Sequence, residues 1–109
     1  MASSYKVLGQ SNPAATTATT LYTVPSATEA IVSTITACNQ AATAATYRIA
    51  IRPDGAALAA QHYVAYDISL PANTTDTLTL GVTINAADVI TVYASSATMS
   101  FNAFGSELA

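Results

Sequence analysis

The sequence predicts an all-β protein, an eight-stranded antiparallel β-sandwich, on three observations. Two segments alternate with a period of two: Tyr47, Ile49 and Ile51 against Arg48, Ala50 and Arg52, and Leu78, Leu80, Val82 and Ile84 against Thr79, Gly81 and Thr83. No window of similar length carries an amphipathic helical period, and threonine, abundant throughout, is a poor helix former. Turn residues punctuate the chain at strand-length intervals, at Asn12-Pro13, Pro25-Ser26, Asn39-Gln40, Pro53-Asp54-Gly55, Pro71-Ala72-Asn73, Asn85-Ala86-Ala87-Asp88 and Ser95-Ser96.

The strands between these breaks are Tyr5–Leu8, Thr20–Val24, Ala30–Cys38, Thr46–Arg52, His62–Ser69, Asp76–Leu80, Asp88–Ala94 and Thr98–Phe104. The sixth is open to continuation through Ile84. The stretch Ala56–Ala60, after Pro53-Asp54-Gly55, reads as a helical turn or a loop. The residues from Ser106 to Ala109 read as a tail, free or docked. The expected core is Val7, Ile31, Ile35, Ile49, Ile51, Val64, Ile68, Leu78, Leu80, Ile90, Val92, Met99 and Phe101. Alternation leaves the strand order open. Eight strands fill two four-stranded sheets, so a jelly roll is preferred over an immunoglobulin-like sandwich.

The 109 residues fit one domain, 1–109, with a modest core. Within it, residues 9–20 are small, polar and low in complexity. They read as a loop, or as the connection of an arm by which strand one pairs with a neighbouring subunit.

The charged fraction is 8%, where about a quarter is usual for a soluble domain. Ala, Thr and Ser stand where Lys and Glu would keep copies apart. Such a face loses little rotamer entropy when covered, so it suits lasting contact with a neighbour. The alternative is a monomer with a bland, poorly soluble surface. Six acids against three bases give a net charge of −3. Lys6, Arg48 and Arg52 alone cannot build a basic patch, which argues against nucleic-acid binding. No run of about 18 apolar residues exists to span a membrane as a helix. The stretch from Met1 to Lys6 lacks the basic start and apolar run of a signal peptide. Without secretion, the sequon Asn73-Thr74-Thr75 carries little weight.

Neither a metal centre nor a cofactor is expected. One histidine, one cysteine and scattered acids offer no ligand cluster, and the four glycines form no phosphate loop. Any nucleophilic triad would have to use His62, the only imidazole, at the head of a tyrosine-rich strand. A structural or interface role suits it better, and no catalytic residue is assigned. Cys38, set among Thr34-Ile35-Thr36-Ala37, reads as a core thiol. Tyr63 and Tyr66 fall on opposite faces of a regular strand, one toward the core. An exposed tyrosine there is an interface anchor or a sugar-stacking platform. The interface residues picked out are thus Lys6, Arg48, Arg52 and Tyr63. Each cation could bind acidic groups on a neighbour, or pair with Asp54, Asp67 or Asp76 of its own chain.

Five segments together carry a resemblance: Tyr5–Gln10, Leu21–Pro25, Tyr47–Pro53, Gln61–Tyr63 and Phe101–Glu107. In this order they resemble a family of small virion structural proteins of tailed bacteriophages. The resemblance implies a β-sandwich located in the virion. The expected role is capsid cement or decoration, a homo-oligomer such as a trimer bound to the major capsid protein. A tail, baseplate or fibre component, or a receptor- or glycan-binding module, is the alternative.

Overall fold

The computed structural model describes residues 3–109; Met1 and Ala2, the start of the N-terminal stretch read for a leader, lie outside them. The chain is all-β. Its strands are β1 (Ser3–Ser11), β2 (Thr19–Thr23), β3 (Glu29–Asn39), β4 (Ala45–Arg52), β5 (Tyr63–Leu70), β6 (Thr75–Leu78), β7 (Val82–Asn85), β8 (Val89–Ala94) and β9 (Met99–Leu108). Short 3-10 turns occupy Pro53–Gly55 and Ala60–His62.

Two antiparallel sheets form. The first runs β1-β9-β3-β6, with β7 also paired to β3, and the second runs β2-β8-β4-β5. They face one another across a shared core built from Val32, Ile35, Phe101 and Met99 on the first sheet and Tyr47, Ile49, Ile90 and Val92 on the second. The Tyr47 and Phe101 rings meet edge to face across the gap, with centroids 6.0 Å apart.

Among the described residues nine strands stand in place of the eight expected, because the sixth divides into β6 and β7. Gly81 between them has φ +64, a left-handed conformation that ends one strand and lets the next restart. Strand one is longer than expected and pairs with β9 of its own chain, from Ser3↔Leu108 to Ser11↔Phe101. The loop expected at 9–20 contracts accordingly: Gly9–Ser11 belong to β1 and Thr19–Thr20 to β2. The C-terminal residues do not form a tail. Strand β9 continues to Leu108 between β1 and β3. Its Gly105 permits this, because a Cβ there would lie 1.9 Å from the Ile31 carbonyl oxygen.

Five of the thirteen expected core residues lie elsewhere. Ile35, Ile49, Ile90, Val92, Met99 and Phe101 are buried, and Ile51 and Leu78 are partly buried against them. Val7, Ile31, Val64, Ile68 and Leu80 are exposed. Bulges account for two of these strands. In β3 the register against β9 slips between Val32 and Thr34. Ala30 and Val32 face inward before the slip, and Ile35, Ala37 and Asn39 after it, so Ile31 points out although Ile35 points in. In β5 the register against β4 shifts twice, and Asp67 has φ +49. Ala65 and Leu70 therefore point inward while Val64 and Ile68 do not. Cys38 follows the β3 parity as well: it is half-buried between inward Ala37 and Asn39, rather than a core thiol.

Asn39 is fully buried and ties three loops together. Its Nδ2 donates to the carbonyls of Thr43 (2.9 Å), Leu70 (3.2 Å) and Pro71 (3.3 Å). Its Oδ1 accepts from Ala41 N (3.1 Å) and Thr98 Oγ1 (3.2 Å). A buried amide is stable only when so satisfied.

Candidate interaction surfaces

The three cations are already engaged within the chain. Lys6 Nζ lies 2.6 Å from Glu107 Oε1, at the open end between the sheets, where the Tyr22 hydroxyl also donates to Glu107 Oε2. The hydrogen bond from Lys6, with that from Tyr22, holds the Glu107 carboxyl below the usual range. Burial, reinforced by Glu107, raises the Tyr22 phenol well above its ordinary value. Arg48 forks onto Asp67, with Nε to Oδ1 at 2.6 Å and Nη2 to Oδ2 at 3.3 Å. Its guanidinium lies 4.3 Å from the ring centroids of both Tyr66 and Tyr93. Arg52 donates to Thr91 Oγ1 (3.0 Å) and to the carbonyls of Gly55 (3.3 Å) and Ala56 (2.9 Å). Of the same-chain partners expected, Asp67 is realised. Lys6 and Arg52 use Glu107 and backbone carbonyls instead.

His62 has a structural contact: its Nδ1 accepts from the Ala59 amide at 3.1 Å and so closes the turn before β5. Tyr63 and Tyr66 do not divide between core and solvent. The register shift between Ile49↔Ala65 and Ala50↔Tyr63 adds a residue, so both rings reach the same side. They meet at 81° with centroids 4.9 Å apart and, with Leu58, Ala59 and Ala60, line an open apolar groove.

A second apolar surface was missed by the sequence reading. On the first sheet, Lys6 points to the inner side, toward Glu107, so its neighbours Tyr5 and Val7 point outward. Their cross-strand partners are Ser106 and Phe104, and Ser106 in turn pairs with Ile31. Tyr5 is 86% exposed, Ile31 52%, Val7 48% and Phe104 37%. Tyr5, Ile31 and Phe104 share a hollow with Lys6, Ser33 and Ser106. The result is a largely apolar outer face spanning β1, β9 and β3, with Lys6 and Glu29 at its margins. Its signal in the sequence was the bulge parity, which alternation alone does not reveal. Comparison with protein-family models, curated proteins and solved structures gave no match to this chain.

Proposed function

We propose that this chain is a non-enzymatic structural protein of a tailed-phage virion, a capsid cement or decoration protein that clamps neighbouring subunits of the assembled shell. The observation that carries the reading is the outer face of Tyr5, Val7, Ile31 and Phe104: large apolar side chains left in water by a chain whose cations are satisfied internally. Fully covering such side chains is worth roughly 1.5–3 kcal/mol each, and half-exposed ones gain proportionally less. Repetition over a symmetric shell turns modest contacts into firm retention. Binding to the assembled shell alone stabilises it by mass action.

The strand order supports a jelly roll as the architecture. A β1-β9-β3-β6 sheet facing a β2-β8-β4-β5 sheet brings the first and last strands together, and the second and second-last, as two nested Greek keys require. The β6/β7 pair then counts as one interrupted strand.

Particles lacking the protein should release DNA at lower temperature or under milder osmotic shock, and adding it back should restore retention. Unchanged particle stability would overturn the cement reading, and a count of few copies per virion would move the protein to the tail. The Tyr63–Tyr66 groove favours one further reading, glycan binding by ring stacking. No signal on a glycan array, with host range unchanged by Tyr63→Ala, would dispose of it.

A further inference from the structure

The sheet edges differ in how well they are closed to another strand. Edges β6 and β7 are four residues each, separated by Gly81. Edge β2 has five residues and a register shift between Thr20 and Tyr22. Edge β5 carries two register shifts and the positive φ of Asp67. Short length and bulges are the usual means of blunting an edge. Strand β1 has neither over its first half. From Ser3↔Leu108 to Val7↔Phe104 its pairing is unbroken, and its other side has no strand partner among the described residues. It contains no proline, and its first shift falls after Val7.

Charge selects what can bind there. The only charged residue of β1, half-exposed Lys6, is neutralised by its ion pair with Glu107, so the strand presents no net charge to a visitor. An acidic partner would have to displace Glu107, and a basic partner finds nothing to neutralise it. A second copy of the same strand meets neither obstacle.

We propose that β1 pairs antiparallel with β1 of a second copy across a two-fold axis, joining the two first sheets into one continuous sheet. Centred on Tyr5, the pairing sets Tyr5 against its mate, Ser3 against Val7 and Ser4 against Lys6. Tyr5 thereby gains an aromatic cross-strand pair, and the two Lys6 side chains avoid standing opposite each other. The outer faces that hold Val7, Ile31 and Phe104 merge into one apolar surface. An isologous contact of this kind makes even-numbered assemblies and replaces the trimer expected from the sequence. The pairing is a property of the isolated chain and does not depend on the virion role.

Sedimentation of the purified chain tests it. The expected species at about 0.1 mM is a dimer, and a monomer or a trimer there would overturn the proposal. Tyr5→Lys places like charges across the axis and should weaken the dimer at least about tenfold. Ile31→Lys, on the same face but away from the edge, should leave the dimer in place. The opposite ranking of these two variants would show that a face, not an edge, makes the contact. In a Cys38→Ser background, Tyr5→Cys should form a covalent dimer on mild oxidation while Ile31→Cys does not. Failure of Tyr5→Cys to cross-link would exclude the Tyr5-centred pairing. Melting profiles of each variant at a dilution where the parent is monomeric, expected to match the parent, keep loss of association distinct from loss of fold. Shell binding is read separately in particles, so either result can fail alone.

Discussion

The hydroxyl of Tyr47 donates to Asp76 Oδ2 at 2.9 Å, and so joins β4 of the second sheet to β6 of the first. The Tyr47 ring is buried in the core, while its polar end reaches a carboxylate at the sandwich margin. This arrangement lets an apolar core contain a phenol without stranding its oxygen. Tyr47→Phe keeps the ring packing on Phe101 but deprives Asp76 of its donor. The expected loss is roughly 1–2 kcal/mol. Urea titration should show a lower midpoint with an unchanged slope.

The same phenol, with Tyr22, makes stability sensitive to alkali. Burial is the main cause of their raised values, followed by the carboxylates they face, Asp76 and Glu107. A tyrosine in the unfolded chain ionises near about pH 10. Above that pH the unfolded state loses protons that the folded state retains, so stability falls as pH rises. Below it this contribution is fully present. Denaturation midpoints measured from neutral to strongly alkaline pH should show the decline. Tyr47→Phe should make it shallower.

Glu107 gives the acid limb. Its carboxyl is held low by Lys6 first and Tyr22 second. The folded form is therefore favoured above the unfolded glutamate value of about 4.3, and this contribution disappears as pH falls through the lower folded value. Glu107→Gln should flatten the acid side of the stability curve between those two points. A curve as steep as the parent's would place the acid sensitivity at another group.

Asn39 is sensitive to an isosteric change. Asn39→Asp preserves shape but replaces the donor facing the Thr43, Leu70 and Pro71 carbonyls with an anionic oxygen. Oδ1 would keep Ala41 N and Thr98 Oγ1 as donors, but the oxygen facing the three carbonyls would have none, and a buried charge so poorly compensated costs about 3–5 kcal/mol, a large share of a small domain's stability. Thermal melting should show the loss at neutral pH, with partial recovery in mild acid where the new carboxyl regains a proton.

Much of this was legible from local pattern, and the remainder failed for one physical reason. The positions of β2, β3, β4 and β8 follow from turn residues and β-branched runs, as for Ala45–Arg52 and Val89–Ala94. The faces did not follow, because a single bulge reverses every side chain beyond it. Ile31 and Ile35 sit four apart and should share a face, yet the slip at Ser33 separates them. The cations Lys6, Arg48 and Arg52 were legible as notable residues, but their partners depend on register. Lys6 meets Glu107 only because β9 runs past Gly105 into what looked like a tail.

Gly105 is where that register is enforced. It opposes Lys6 on β1 and Val32 on β3, at the level of the β3 bulge. A methyl group at this position would stand 1.9 Å from the Ile31 carbonyl oxygen and 3.0 Å from Val32 Cα, both backbone atoms that cannot rotate away. Gly105→Ala must therefore push β9 from β3 or abandon the bulge. Overpacking of this kind costs about 1–3 kcal/mol. The effect should be local as well as global. Hydrogen exchange should quicken at the ends of β1 and β3 that pair with Ser106–Leu108, while β4 and β8 of the second sheet keep their relative protection. Lys6 and Glu107 sit on the directly paired β1 and β9 and move together, so the acid limb of the stability curve should persist in Gly105→Ala, unlike in Glu107→Gln. Parental stability and exchange in Gly105→Ala would mean that β9 does not run between β1 and β3 to Leu108.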